Sequence, residues 1–261
     1  QNDPCNGATN MAIDEALLLS VVSGKASPTI HLYGWSPPAL SLGHLQHART
    51  EVDVKRCRSL GIDIVRRPTG GRAVLHDCEL TYSVTAPEGL FPAPSSILSV
   101  YREISNALVA GLAHLGIEAK MVPELRDLSQ RGPKINPPAC FAVPSAYEVT
   151  VGGRKIIGSA QKRFKGCVLQ QGSILLSLDR RLLFSLFLPG QSRNLEDKMT
   201  SIREVLGKGV SFAEAVVSMR EGFRKAWGVT LEKEKLDEAE RKMVKKLKRE
   251  KYDVEEWNLR R

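Results

Sequence analysis

A glycine turn with basic neighbours is the first stretch of this sequence whose residue types suggest chemistry. Residues 66–82 read RRPTGGRAVLHDCELTY. Together with the apolar run before them, they predict a strand at 62–65, a tight turn at 68–71 and a return strand at 73–75. Adjacent glycines allow positive φ and let a backbone approach a ligand closely. The turn is either an anion- or carbonyl-binding loop on a sheet or an ordinary hairpin with exposed arginines. The cationic side chains around it are Arg66, Arg67 and Arg72.

A lysine further along the chain is a second candidate for chemistry. Residues 154–161 read RKIIGSAQ, so Lys155 begins an apolar strand that ends in Gly158, Ser159 and Ala160. An ammonium held beside a carbonyl oxygen would stabilise the oxyanion that develops during acyl transfer. A lone lysine is more often a surface cation, so these residues by themselves leave both interpretations open.

The five cysteines show no CxxC spacing, which argues against a disulfide framework or a zinc site and favours a reducing compartment. Cys140 lies in a proline-rich stretch, 123–144, that predicts a long loop. A thiolate there would be a nucleophile whose pKa neighbouring cations lower; the alternative is an inert thiol. We expect Cys167 to pack within a strand and Cys78 to lie on the same side as His76. That histidine is either a general base or a structural side chain.

Helices and strands must bring these residues together. A helix is predicted to open at Asn10, with Thr9 or Asn10 as its cap and acidic residues in its first turn, and to end at Gly24. Apolar residues recur every four positions in 96–115 and predict a core helix. The chain closes with a helical tail whose charges form a solvated face. Further predicted strands are 29–35, 39–43, 79–86, 117–122, 147–151, 155–158 and 168–178, with 147–158 forming a hairpin.

Length and charge limit the possible classes of protein. A chain of 261 residues suits one α/β domain, alone or with a small appendage. It contains no apolar run long enough to cross a bilayer, and since it starts at Gln1 we expect an N-terminal segment to be missing. A net charge of +9 favours acidic partners without choosing among nucleic acid, membrane surface and acidic carrier proteins. No zinc finger or RNA-binding signature is visible.

Several segments together resemble one family. RRPTGGRAVLHD resembles the RRxxGGGxVxHD motif of the lipoate–protein ligase and octanoyltransferase family, which is related to the biotin protein ligases, although Arg72 replaces the third glycine. GRKIIGSAQKR resembles the G(K/R)KIxGSAQ motif of the same family, and NMAIDEALL and YGWSPPALSLG resemble its opening. The resemblance covers roughly residues 10–178, with weaker similarity near the C-terminus.

This resemblance implies an α/β (α+β) fold with a mixed, largely antiparallel sheet flanked by helices, like the biotin/lipoate ligase and class II synthetase domains. We expect a catalytic domain over 1–210 and a helical segment over 211–261 that is packed on it or appended to it. It also implies that Lys155 reaches the acyl carbonyl and that no metal is bound. The expected substrate-binding residues are Arg67, Thr69, Gly70, Gly71, Arg72, Ala73, His76, Gly158, Ser159, Ala160, Gln171 and Gly172.

The segment PPACF around Cys140 resembles the acyl-accepting loop of the LipM-type octanoyltransferases. That resemblance implies a cytoplasmic enzyme without cofactor, nucleic acid or membrane, in which Cys140 takes octanoyl from acyl carrier protein. The acyl group then passes to a lysine of a lipoyl-domain protein such as the glycine-cleavage H protein. Three alternatives stay open: a lipoate–protein ligase using ATP and Mg, an amidotransferase between lipoyl domains, and a basic nucleic-acid-binding module.

Overall fold

The computed structural model describes residues 4–122, 147–189 and 196–260. Six antiparallel strands form a large sheet, and three strands form a smaller one. In chain order the strands are β1 (Thr29–Tyr33), β2 (Ala39–Leu42), β3 (Asp63–Arg66), β4 (Val74–His76), β5 (Glu79–Pro87), β6 (Lys120–Met121), β7 (Val149–Val151), β8 (Arg154–Phe164) and β9 (Cys167–Leu175). The order in the large sheet is β1-β5-β9-β8-β7-β6, which confirms the predicted mixed α/β class with a largely antiparallel sheet.

The helices lie on both faces of the large sheet. They are α1 (Gly7–Val22), α2 (Ala48–Glu51), α3 (Val54–Ser59), α4 (Ile97–His114), α5 (Arg180–Ser185), α6 (Ile202–Leu206), α7 (Phe212–Trp227), α8 (Glu238–Leu247) and α9 (Glu255–Asn258). Helix α1 begins earlier than predicted, because Asn6 is its cap and accepts from the Thr9 amide. Its first turn contains no acidic residue, and Asn10 lies buried inside the helix.

One face of the large sheet is apolar and packs against α4 and α7. Leu80, Val84 and Ile174 contribute to this core from the strands. The two helices approach closely because α7 has a glycine at the contact: a Cβ added to Gly222 would lie 2.4 Å from the Ala107 carbonyl oxygen. The opposite face of the sheet carries polar side chains and is covered by α1 and the smaller sheet. This polar interface contains the candidate site.

The predicted hairpin around the glycine turn is wrong. Strands β3 and β4 flank the turn but do not pair, because β2 lies between them in the order β3-β2-β4. β2 pairs in parallel with β3 and antiparallel with β4. The turn therefore crosses over the end of β2. This crossover brings it against Gly43, which follows β2.

The C-terminal residues are fixed to the base of this turn. The fully buried Arg66 guanidinium donates to the carbonyl oxygens of Gly43 and Arg260, each at 2.7 Å. In return, Trp257 Nε1 donates to the Arg66 carbonyl oxygen at 2.9 Å. Arg66 thus holds the last residues of the chain against the loop after β2 and is buried rather than displayed to solvent.

Candidate active site

A cavity that is partly open to solvent lies between the polar face of the large sheet and the smaller sheet, and it encloses about 330 Å³ when the solvent space at its mouth is included. Its floor crosses four neighbouring strands, β1, β5, β9 and β8, at Tyr33, Thr81, Ser173 and Gly158. Since neighbouring strands lie about 4.8 Å apart, this floor is roughly 14 Å long. A floor of this length accommodates an extended chain.

Most of the predicted substrate-binding residues meet at this cavity. Those that line it are Arg67, His76, Gly158, Ser159, Ala160, Gln171 and Gly172. Thr69, Gly70 and Gly71 lie in the adjoining turn. Ala73 lines a neighbouring cavity instead, and Arg72 forms an ion pair with Glu51 on α2 at 3.2 Å. The predicted nucleophile, Cys140, lies outside the described residues.

Two glycines let the turn lie against its neighbours. Gly71 has φ +84°, and a Cβ there would be 3.0 Å from Arg67 Nη2 and 3.6 Å from the Ala160 Cβ. A Cβ on Gly43 would lie only 1.9 Å from the Gly71 carbonyl oxygen. Sequence reasoning missed Gly43 because the turn contact depends on the β2 crossover. Gly71 is conformationally required in addition, since non-glycine residues rarely adopt its φ.

Arg67 shapes the turn from below. Its guanidinium donates to the carbonyl oxygens of Gly70 (2.7 Å), Arg72 (2.6 Å) and Ser41 (2.9 Å). A planar guanidinium with several fixed donors can hold three carbonyls at once, which a lysine could not do in the same geometry. The turn is therefore held in place relative to β2 before any ligand binds.

His76 belongs to a buried hydrogen-bond chain in the cavity wall. Its Nδ1 lies 2.9 Å from Glu79 Oε1, and its Nε2 lies 2.7 Å from Ser41 Oγ. Because Ser41 Oγ accepts from Arg67 at 3.0 Å, its own proton is directed to Nε2, and Nδ1 donates to Glu79. The ring stacks on Trp35 with centroids 3.9 Å apart. Both ring nitrogens are thus engaged within the protein.

Cys78 is exposed, whereas His76 is buried, so the expectation that they share one side is wrong. The reason is local: β4 ends at His76, and Cys78 lies in the turn that leads to β5. Strand alternation does not continue through a turn. No Cys–His arrangement exists at this position.

Asp14 is the centre of a second buried network, which sequence reasoning did not find. Its fully buried carboxylate joins α1 to the large sheet. The Gln171 side chain, which donates to it, also accepts from Thr69 Oγ1 at 2.8 Å and so connects the network to the glycine turn. The available signal was an acidic residue on the apolar side of the NMAIDEALL helix. The donors to Asp14 are His31 Nδ1 (2.9 Å), Tyr33 Oη (2.7 Å), Ser83 Oγ (2.6 Å) and Gln171 Nε2 (2.6 Å).

Lys155 is fully buried, and its ammonium lies 2.5 Å from Glu148 Oε1. The pairing of β7 with β8 shifts register here, so that Ile156 is an extra residue between Lys155 and Ile157. A bulge of this kind changes the direction of neighbouring side chains and is common beside active sites. The surface-cation interpretation of Lys155 is therefore wrong. The buried ion pair with Glu148 was not predicted from the sequence, and the interpretation of Lys155 as a partner of an acyl carbonyl stays a prediction.

Ser159 and Gly172 pack with Tyr82 beneath the cavity. The Tyr82 hydroxyl lies 2.7 Å from Ser159 Oγ, and burial raises the pKa of Tyr82 to about 12. A Cβ on Gly172 would lie 2.4 Å from the Tyr82 ring. Gly172 is thus required for the close approach of β9 to this tyrosine.

Two general features of the chain bear on function. Across residues 4–122, 147–189 and 196–260, no group of three or more His, Cys, Asp or Glu side chains is arranged to hold a metal ion. No helix in these segments has the length and apolar character needed to cross a membrane.

Comparison with known proteins places the chain in a family. The model of the lipoyl protein ligase A/B catalytic domain matches residues 6–224. The proteins named Octanoyltransferase LipM from Geobacillus kaustophilus and Bacillus subtilis are 44% and 41% identical to this chain. The first alignment covers 98% of this chain and 95% of the relative, and the second covers 97% and 94%. The chain therefore belongs to the lipoyl protein ligase A/B catalytic domain family.

Solved structures agree with this assignment. Protein Ta0514 from T. acidophilum, with bound lipoic acid, is 26% identical with a TM-score of 0.82. A lipoate-protein ligase A bound with ATP is also 26% identical, with a TM-score of 0.81. In both cases the match covers 99% of this chain and 96% of the other. The similarity in fold includes the C-terminal helices.

Proposed function

We propose that this protein is an octanoyltransferase of lipoate biosynthesis, which transfers an octanoyl group to a lysine of a lipoyl-domain protein. The observation that carries the proposal is the similarity of nearly the whole chain to several proteins named Octanoyltransferase LipM. The cavity supports it, because its floor of roughly 14 Å exceeds the reach of an octanoyl chain. The seven carbon–carbon bonds of that chain span about 8 Å at about 1.2 Å per bond.

In the proposed mechanism, the Cys140 thiolate attacks the carbonyl carbon of octanoyl-acyl carrier protein. The bond to the carrier's sulfur breaks, and that sulfur leaves as a thiol after taking a proton. The neutral amine of an acceptor lysine, on the glycine-cleavage H protein, then attacks the new thioester and expels the Cys140 sulfur. The amine gives up a proton, and an amide results. Because the donor is already a thioester, loading of Cys140 with the octanoyl group needs no ATP. Acyl carrier proteins of the cytoplasm supply this donor.

Lys155 is the proposed electrostatic partner of the acyl carbonyl. A buried ammonium stabilises negative charge far more strongly than an exposed one, because little water screens it. Its pairing with Glu148 at 2.5 Å holds the ammonium in one position. Glycine-turn backbone amides at Gly70 and Gly71 would face the same carbonyl. The predicted residues that line the cavity would shape the acyl pocket.

Replacing Lys155 with methionine is expected to lower kcat for octanoyl transfer by about 100- to 1000-fold, the usual loss for one oxyanion-stabilising group. The single change removes the ammonium that pairs with the buried Glu148 carboxylate, so the Lys155→Met/Glu148→Gln double variant is measured beside it. The exposed Lys120, changed to methionine, is the control. A folded double variant with wild-type kcat would contradict the role of Lys155.

Donor choice distinguishes the transferase from the ATP-dependent ligase, which the likeness to a lipoate-protein ligase A bound with ATP makes the main rival. Purified protein is mixed with an apo lipoyl domain and one of three donors: octanoyl-acyl carrier protein, octanoate with ATP and Mg²⁺, or an octanoylated lipoyl domain. We expect modification from the carrier-bound donor without ATP. Modification only from octanoate with ATP would establish the ligase. Modification only from the octanoylated domain would establish the amidotransferase.

A further inference from the structure

One buried hydroxyl in the cavity lacks a hydrogen-bond partner in the described part of the chain. Ser173 is 1% exposed, and no described atom bonds its Oγ. Strand alternation places its side chain on the same face of β9 as Gln171, whose amide reaches Asp14 across the cavity side of the sheet. An unsatisfied buried hydroxyl costs about 1–3 kcal/mol. An acceptor atom of a ligand in the cavity would satisfy this hydroxyl.

The neighbouring polar side chains of the cavity already have protein partners. Tyr33 Oη donates to Asp14 at 2.7 Å, and Trp35 Nε1 donates to Thr81 Oγ1 at 2.7 Å. Ser41 and both nitrogens of His76 take part in the hydrogen-bond chain that includes Arg67 and Glu79. Gln171 bonds to Asp14 and Thr69, and Ser159 bonds to Tyr82. Among the described hydroxyls that line the cavity, that of Ser173 has no hydrogen-bond partner and is available to bond to a substrate.

The chemistry of the substrate decides which of its atoms would bond to the Ser173 hydroxyl. Resting on the proposed function, the ligand is an octanoyl thioester, whose hydrocarbon tail contains no hydrogen-bonding atom and whose carbonyl oxygen is its one good acceptor. Gly158 lies directly opposite Ser173 on β8 and has no side chain to fill the adjoining space. At this position β8 therefore contributes only backbone to the lining of the cavity.

The position also fits the length of the acyl chain. From Ser173 on β9, the floor passes β5 at Thr81 and reaches β1, where Tyr33 and then Trp35 bound the cavity. Two strand spacings are about 10 Å, and the octanoyl chain spans about 8 Å beyond its carbonyl. A carbonyl at Ser173 thus places the terminal methyl group close to the end of the cavity.

We propose that the Ser173 hydroxyl donates a hydrogen bond to the carbonyl oxygen of the octanoyl thioester. The bond strengthens as that oxygen becomes negative during attack, first by Cys140 and later by the acceptor lysine. Ser173 is then a catalytic residue in addition to the proposed Lys155, and it acts on the rate of the chemical step more than on binding.

The kinetic test uses pairs of variants that differ only by the hydroxyl. Ser173→Ala and Ser173→Val should lower kcat from octanoyl-acyl carrier protein by about 10- to 100-fold with KM little changed, whereas Ser173→Thr should retain most activity. Ser105 provides a matched control on α4, because it is also 1% exposed with an unpartnered hydroxyl but lies away from the cavity. Equal kcat for the threonine and valine variants would overturn the proposal.

Infrared spectroscopy separates this inference from the proposed function. The enzyme is loaded with octanoyl labelled with ¹³C at the carbonyl, and the stretching frequency of the acyl-enzyme is compared among variants. A donated hydrogen bond lowers this frequency, so it should be higher in Ser173→Ala and Ser173→Val than in wild type and Ser173→Thr. The same carbonyl frequency in the adducts of all four proteins would overturn the role of Ser173 and leave the proposed function standing. Absence of an adduct in the wild type would refute the thioester mechanism itself.

Discussion

Changing Cys140 to alanine is expected to abolish octanoyl transfer from carrier protein, reducing it by at least about 1000-fold, while the fold stays intact. The physical reason is that acyl transfer through an enzyme thioester requires a thiolate, and alanine offers no nucleophile at all. Transfer to an apo lipoyl domain is followed by mass spectrometry of that domain. Circular dichroism of the variant provides the test of folding.

Three of the other cysteines, Cys57, Cys78 and Cys167, provide the controls, because their surroundings disfavour the thiolate. Burial, reinforced by Asp53, raises the pKa of Cys57 to about 11. Burial and Glu88 raise the pKa of Cys167. The Cys78 side chain is exposed on the surface, but partial desolvation by the surrounding protein atoms, with Asp77 adding to it, still raises the pKa of its thiol.

A raised thiol pKa means a smaller thiolate fraction at neutral pH and a poorer nucleophile. Cys167→Ala, Cys78→Ala and Cys57→Ala should therefore each keep transfer activity within a few-fold of wild type. Loss of activity in Cys167→Ala with retention in Cys140→Ala would move the nucleophile to β9.

Changing Asp14 to alanine is expected to lower the free energy of unfolding by about 3–5 kcal/mol, the range measured when one member of a buried charged network is removed. Four donors from three strands converge on this carboxylate. Without it they lose their acceptor in a site that water does not reach. Burial and the Asp14 carboxylate already raise the pKa of Tyr33 well above its ordinary value, so the phenol stays a donor at any physiological pH.

The measurement is thermal and urea unfolding of the wild-type protein and of the Asp14→Ala variant. For a chain of this size the loss corresponds to a fall in Tm of roughly 6–20 °C. Glu118→Ala, at an exposed position, is the control and should unfold like wild type. Because Gln171 connects Asp14 to Thr69, the variant should also lose activity at temperatures where it remains folded. A change of less than 1 kcal/mol would show that the network contributes little to stability.

Much of the element content was predictable from local patterns in the sequence. The α4 periodicity, the β7–β8 hairpin and the long strand β5 follow from hydrophobic spacing and turn residues alone. The hairpin at the glycine turn was predicted wrongly because its two strands are neighbours in sequence. Insertion of β2 between them is a long-range pairing to which no local signal points.

The parts of the candidate site that lie within recognisable sequence motifs were predictable, and the other parts were not. The glycine turn and the segment containing Lys155 were found because their residue types are unusual together. Ser173 and Asp14 were missed because a serine in a strand and an acid in a helix are ordinary. Their significance comes from burial and from partners on other elements, which only the tertiary fold supplies.

The most direct test of the central claim is the intact mass of the wild-type protein after incubation with octanoyl-acyl carrier protein in the absence of ATP. The account predicts one octanoyl adduct, labile to hydroxylamine as a thioester is, which disappears when an apo lipoyl domain is added. No adduct, together with lipoyl-domain modification that requires ATP, would contradict the thioester mechanism and make this protein a ligase.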